Sequence, residues 1–367
     1  MGGVRIGLIG AGVMGRIHAR CLSRHVANGE LCAVADLDSE KANGCAEEFG
    51  ADAVYGDHLA LLADASLDAV LACTPGNTHA SVIEAAARAG KHIFCEKPID
   101  WDLMAADRAL GVVERAGVKL QIGFNRRFDP AFRAARQAIK RGDIGRPQIV
   151  HLISRDPALP YTGPKAPGDL YFDSAMHDLD MVRFMIGAEA ESVMSYGSAM
   201  AAREHGVGED PDTAMTLLRL KGGTIASIDN SRRSVVYDQR AEVFGPQGTV
   251  CVPNQPIDKG SADGELPFFA HRYLDAYIAE LNAFVESVRK DSEPLVTGND
   301  GRAALVLAIA AFRSYVEGRP GAGQRDRLAH RAAIRRPGSL LRALRPSRAV
   351  PYEARGRRFR LARRVSS

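Results

Sequence analysis

VRIGLIGAGVMG, residues 4–15, decides how this chain folds. Val4 to Gly10, apolar but for Arg5, reads as a strand covered on both faces, and glycines at 10, 12 and 15 lead into a helical stretch that begins at Val13. G-x-G-x-x-G taken alone is a glycine-rich turn. Between an apolar strand and a helix, with Asp36 closing the next apolar run (LCAVAD, 31–36), it has the spacing of a dinucleotide-binding loop. Gly10 then makes the turn, Gly12 lets the backbone approach a pyrophosphate, and Gly15 lets helix and strand pack closely. Val13 and Met14 open the helix, whose free N–H groups carry partial positive charge toward the phosphates. Asp36 is placed to accept hydrogen bonds from the adenosine ribose and to repel a 2′-phosphate, so NAD is expected and NADP disfavoured. Arg16 and Lys41 weigh the other way, since a cation near the 2′ position would admit that phosphate.

Working outward, the same alternation continues. Apolar runs at 31–36, 68–73, 92–96 and 119–124 alternate with helical patterns at about 13–27, 39–49, 78–89 and 101–116. Strand and helix in strict alternation predict a doubly wound parallel sheet, a Rossmann domain over residues 1–124. After Asp129 and Pro130 the rhythm changes. A helix at about 131–141, strand-like runs at about 147–154, 191–201, 213–220, 223–230, 240–244 and 249–252, and short turns such as KGG (221–223) predict an α+β domain. This second domain, 125–320, should carry an open, largely antiparallel sheet with helices on one face. A helix over 174–185 lies within it, and two closing helices, about 272–289 and 300–317, complete it and are free to pack back on the first domain.

The chain has 367 residues, enough for two cores, and 46% apolar with 25% charged residues excludes a disordered or collagenous chain. No run of eighteen apolar residues offers a membrane span, and the N-terminal stretch lacks the features of a secretory signal, so a cytoplasmic location is expected. Six cysteines without a CxxC pair read as reduced, buried small hydrophobes, with neither a disulfide framework nor a metal site expected. The net charge of +4 hides an asymmetry. Residues 321–367 hold 14 Arg, no Lys, and only Asp326 and Glu353 as acids, a net +12 that leaves −8 on the remainder. Such a tail is poor material for a compact core, and with little aromatic interleaving it is a poor nucleic-acid or membrane anchor.

CTPGNTH (73–79), EKP (96–98), GFNRRFDP (123–130) and DSAMHD (173–178), in this order after the glycine loop, resemble the family of NAD(P)-dependent sugar oxidoreductases that includes glucose–fructose oxidoreductase and inositol dehydrogenase. The resemblance covers roughly residues 3–318. It implies a catalytic set of Lys97, Asp173 and His177, a cis-proline-like turn at Pro98, nicotinamide contacts from Glu96, and a cofactor cleft lined by Thr74, Pro75, Asn77 and His79. NSRRSVVYDQRAEVFG (230–245) is similar to the matching segment of inositol 2-dehydrogenases. That likeness implies substrate contacts from Arg127, Arg155 and Tyr237 beside Asp173 and His177. It also implies a small polyol or sugar substrate and a homotetramer or dimer. The stretch YTGPKAPGD (161–169) departs from the usual inositol-dehydrogenase form and bears on which stereoisomer fits.

The residue types suit the reaction. Oxidising a secondary alcohol removes a hydroxyl proton as hydride leaves the same carbon, which calls for a base such as His177 and a cation such as Lys97 to steady the alkoxide. Asp173 lies four residues before His177, on the same face if the helix starts near it. Each has a plainer reading: Lys97 as a surface lysine, Asp173 as a helix cap, His177 as a packing residue, with Asp178 and Asp180 structural. Myo-inositol or a related cyclitol is the expected substrate. An aldose dehydrogenase of the same family and a non-catalytic nucleotide sensor are the alternatives.

Overall fold

The computed structural model describes residues 2–157, 168–200, 210–255, 267–318 and 321–322. These belong to one compact unit, Met1–Gln324; Arg325–Ser367 form a second unit and lie outside the described residues, as does all but the end of the 161–169 stretch.

Six strands, β1 (Val4–Ile9), β2 (Gly29–Ala35), β3 (Ala53–Tyr55), β4 (Ala69–Ala72), β5 (His92–Glu96) and β6 (Leu120–Gly123), form a parallel sheet ordered β3-β2-β1-β4-β5-β6. Helices α1 (Val13–His25), α2 (Ser39–Phe49), α3 (His58–Leu62), α4 (His79–Arg88) and α5 (Leu103–Ala116) connect them. Strand order reverses between β1 and β4, so the loops after these strands part and leave a crevice at their C-terminal ends. The doubly wound expectation is met. β3 and α3 were not read from sequence, because three part-exposed residues and a five-residue helix are too short to show a period.

The second sheet runs β12-β11-β7-β10-β9-β8-β13, with β7 (Ile149–Pro157), β8 (Ala190–Ser198), β9 (Thr213–Leu220), β10 (Ile225–Ser234), β11 (Asp238–Gly245), β12 (Gly248–Val252) and β13 (Gly321–Ala322). It is antiparallel except for the β7–β10 pair. Strand β9 shows why only one face is covered: Ala214, Thr216, Leu218 and Leu220 are buried while Met215, Leu217 and Arg219 are exposed. Helix α6 (Pro130–Arg141) precedes this sheet, and α7 (Ala175–Ile186) and α9 (Gly298–Glu317) cover its buried face. Helix α8 (Phe268–Arg289) returns to the first sheet, where Gln121 Nε2 donates to Glu280 O at 2.8 Å. β13 falls inside the segment expected to be an appended tail; its backbone pairs with Val193 and Ser192 of β8, which moves the start of any such tail past Ala322.

Among the described residues no helix is long and apolar enough to cross a membrane. All six cysteines are free, four of them buried, but Cys251 on β12 is exposed, contrary to the reading of a buried hydrophobe.

Candidate active site

The glycine loop has the shape its spacing predicts. Gly10 has φ +96°, a left-handed conformation, and a Cβ there would meet Cys73 O at 2.7 Å, so the β1 and β4 loops touch. A Cβ on Gly15 would lie 1.9 Å from Gly10 O, which excludes any larger residue. At Gly12 a Cβ would meet nothing within 4 Å, so the loop surface is clear for a ligand to approach. No side chain caps the N-terminus of α1, leaving its first N–H groups for a phosphate, and Val13 is 59% exposed at the same end. Asp36 fixes the loop by accepting from Ala11 N at 2.7 Å and Asp38 N at 2.9 Å. The two cations that argued for a 2′-phosphate are already engaged, Arg16 with Glu48 and Lys41 with Asp38. These residues fit NAD.

At the far end of the crevice, β5 delivers Glu96 and Lys97, and the Lys97–Pro98 peptide is cis. Lys97 Nζ reaches into the second domain, 2.6 Å from Asp173 Oδ1 and 3.0 Å from Asp173 O. Asp173 sits in a π-helical turn, Leu170–Ser174, just before α7, and its side chain remains 47% exposed. His177 follows on α7 with Phe124 edge-on at 6.0 Å. Its Nδ1 is closed from solvent and unpartnered, so the open part of the ring lies away from that nitrogen. Burial first, and then the charges of Lys97 and Arg126, push the imidazole pKa well below its ordinary 6.5. The three residues are thus gathered at one place, with a neutral histidine beside a cation and a carboxylate.

Several expected residues hold the site together from behind. His79 is 1% exposed, with Nδ1 2.6 Å from Pro98 O and Nε2 2.7 Å from Thr74 O. It braces the two loops instead of lining the cleft, whereas Thr74, Pro75 and Asn77 stay open to varying degree. Glu96 is also buried, accepting from His18 Nε2 at 2.7 Å and Lys97 N at 3.2 Å.

Two residues expected to contact substrate have partners of their own. Arg127 is committed to Asp180 and Asp300 at 2.6 to 2.9 Å, while the residue beside it, Arg126, is the one whose charge acts on His177. Arg155 lies on the open face of the second sheet, paired with Asp229 and near Asp238. Strand alternation sends its neighbour Asp156 inward, where Asp156 lies beside Arg126 and Arg232, with burial pushing its carboxyl pKa up. Tyr237 is 7% exposed and lies near Arg126, Asp156 and Asp178.

Arg232 was missed. It donates to Asp173 Oδ2 at 3.0 Å and Asp169 Oδ2 at 2.6 Å, holding the Asp173 carboxylate by the oxygen that Lys97 does not take. Its signal was present: an arginine at the end of a strand, in the quoted NSRRS segment, and two acids four residues apart, Asp169 and Asp173, that need a cation.

A glycine loop fit for a dinucleotide, together with a lysine of the first domain that meets a carboxylate and a neutral imidazole of the second, defines a dinucleotide-dependent oxidoreductase. The chain belongs to the GFO/IDH/MocA oxidoreductase family: residues 4–124 match its NAD-binding Rossmann fold and 132–251 its C-terminal domain. It is 40% identical over 330 residues to myo-inositol 2-dehydrogenase of Thermotoga maritima, covering 86% of this chain and 97% of that one. It is 43% identical over 326 residues to inositol 2-dehydrogenase of Rhizobium meliloti, covering 86% and 98%. The crystal structure of myo-inositol dehydrogenase from Lactobacillus casei in complex with NAD(H) and myo-inositol superposes with a TM-score of 0.78 at 28% identity, covering 87% of this chain and 96% of that one.

Three expectations follow from the geometry. His177→Ala lowers turnover by about 10² to 10⁴ with NAD affinity kept, and Lys97→Ala also loses activity; unchanged rates in either variant would remove the catalytic assignment. In the wild type, the rate holds through neutral pH and falls only below the ordinary imidazole midpoint of 6.5, because the folded pKa is depressed and protonation of His177 is delayed to more acid solution. For the coenzyme, Asp36→Ser raises the KM for NAD, partly by freeing Ala11 N–H, and shifts the NADP-to-NAD ratio of kcat/KM upward by removing charge repulsion. A wild type that prefers NADP would contradict this.

Proposed function

We propose that the protein oxidises myo-inositol, or a closely related cyclitol, to the 2-keto-inositol with NAD as hydride acceptor. The observation that carries this reading is the Lys97–Asp173–His177 group set opposite the dinucleotide loop. The inositol dehydrogenases that match nearly end to end support the substrate.

In this reading bound NAD takes the hydride. His177, neutral because burial and two nearby cations oppose its protonation, accepts the hydroxyl proton. The Lys97 ammonium faces the oxygen and steadies the alkoxide as it forms. Asp173, held by Lys97 and Arg232 with its side chain 47% exposed, is the carboxylate assigned to a ring hydroxyl. A polyol needs its non-reacting hydroxyls paired before hydride leaves in the right direction, and Tyr237, with Arg126 and Asp156 nearby, is the group assigned to that task.

The quaternary reading is a homotetramer or dimer closed over the open face of the second sheet. Tyr196, Met215, Leu217 and Ile225 are 61%, 53%, 43% and 55% exposed on adjacent strands of that face, a patch that a second copy would cover. A solution molar mass of two or four times the 39.5 kDa chain is expected, and a monomer at micromolar concentration would exclude it. Free cysteines throughout support a reducing, cytoplasmic setting.

The substrate test compares myo-inositol, scyllo-inositol and glucose with NAD in wild type and Tyr237→Phe. An inositol reduces NAD most efficiently, and the variant loses about 1 to 3 kcal/mol in kcat/KM through an unpaired buried hydroxyl. Efficient NAD reduction by glucose with neither inositol active would overturn the cyclitol reading.

A further inference from the structure

A second concave site lies away from the catalytic group. It is a cavity of about 270 Å³ lined by Arg127, Arg133, Arg136 and Lys140, with Phe184 and Leu295 among its apolar walls. This is near the lower end of small-molecule sites, about 300 Å³. Arg133, Arg136 and Lys140 share one face of α6 by their spacing of three, four and seven residues.

The charge balance of the cavity is what distinguishes it. No acid is among its lining residues. The nearest carboxylates, Asp180 and Asp300, are already bonded to Arg127, and Arg183 draws on both as well. Arg133, Arg136 and Lys140 form no ion pair among the described residues. The Arg136 guanidinium carbon stands 4.0 Å from the Phe184 ring centre, with Arg127 5.3 Å from the same ring. Burial and the Arg127 charge depress the Arg136 pKa by more than Asp300 and Asp180 raise it. Apart from residues 321–367 the chain carries −8, so these unpaired cations do not reflect a generally basic body.

We infer that this cavity is a binding site for a compact phosphate-bearing anion, recognised by the Arg133, Arg136 and Lys140 side chains at its rim and by the Phe184–Leu295 wall beneath them. Guanidinium groups pair with phosphate oxygens in a two-point geometry, and an ammonium adds a point charge. Leu295, 65% exposed, gives an organic substituent something to rest on. The site is separate from the dinucleotide loop, which binds its phosphates through backbone N–H groups and holds no such cluster.

Isothermal titration of the full-length enzyme tests this, with NADH saturating so that the dinucleotide loop is occupied, and with ionic strength held constant. Inorganic phosphate, pyrophosphate and phenyl phosphate are the probes. Pyrophosphate and phenyl phosphate bind saturably at one site per chain, and Arg136→Gln and the double variant Arg133→Gln/Lys140→Gln each weaken binding roughly tenfold or more. Both variants keep the wild-type melting temperature and turnover, which separates loss of the site from loss of the fold. Tighter phenyl phosphate than inorganic phosphate assigns the site to an organic phosphate; equal affinities assign it to the free ion. No saturable binding of any probe, or equal affinities in wild type and variants, overturns the inference.

Discussion

The 2.6 Å contact between Lys97 Nζ and Asp173 joins the two halves of the protein at the site proposed for catalysis. Lys97 stands at the end of a strand of the first sheet and Asp173 at the entrance to a helix of the second, so their separation measures how the two sheets are set. An exposed ion pair would contribute little to that setting. This one is shielded on the lysine side, at 12% exposure, and is anchored beyond the carboxylate by Arg232 and Asp169. Moving Asp173 therefore means dislodging a chain of four charged groups, not one flexible side chain.

Behind that contact lies a run of buried ion pairs: Arg126 with Asp178, Arg127 with Asp180 and Asp300, and Arg272 with Asp129. Such pairs are costly to desolvate, and apolar replacements of similar volume often match them in stability. Their value here is placement. α7 carries His177, Asp178 and Asp180 within about one turn, and two adjacent arginines from the turn after β6 grip the two aspartates. Rotation of the helix about its axis, which would swing the imidazole out of the cleft, breaks both grips together.

Period and spacing carried much of the architecture. The glycine loop, the alternation of strand and helix and the order of the two sheets were all legible, because each rests on local patterns a few residues long. The site was legible to the extent that its members announce themselves in short motifs, EKP and DSAMHD. Which of two adjacent arginines faces inward was not. GFNRRFDP offers Arg126 and Arg127 equally, and only the 3₁₀ turn from Asn125 to Phe128, packed against α7, sends one to Asp178 and the other to Asp180. The same ambiguity applies to Arg155 and Asp156 in a strand, where a shift of one residue exchanges the two faces of a sheet. Arg232 lies 59 residues from its partner Asp173, so the strand-end arginine and the two acids that need a cation are visible separately while their pairing is not.

In the proposed reaction the base, His177, faces two opposed demands. Proton transfer from a secondary alcohol, a very weak acid, favours a strong base, yet burial together with Lys97 and Arg126 makes His177 a weaker one than free imidazole. The same cations resolve the conflict from the other side. A positive charge fixed where the alkoxide develops stabilises that anion more than the neutral alcohol, so the acidity of the bound hydroxyl rises as the basicity of the imidazole falls. The mismatch between acid and base narrows, and the imidazole stays unprotonated across the range in which a free histidine would be half charged. Asp173 limits how far this goes, because its carboxylate offsets part of the lysine charge and raises the histidine pKa. The clamp by Arg232 then has a chemical consequence as well as a geometric one: by drawing Asp173 charge toward itself, it leaves more of the Lys97 charge for the oxygen that loses its proton.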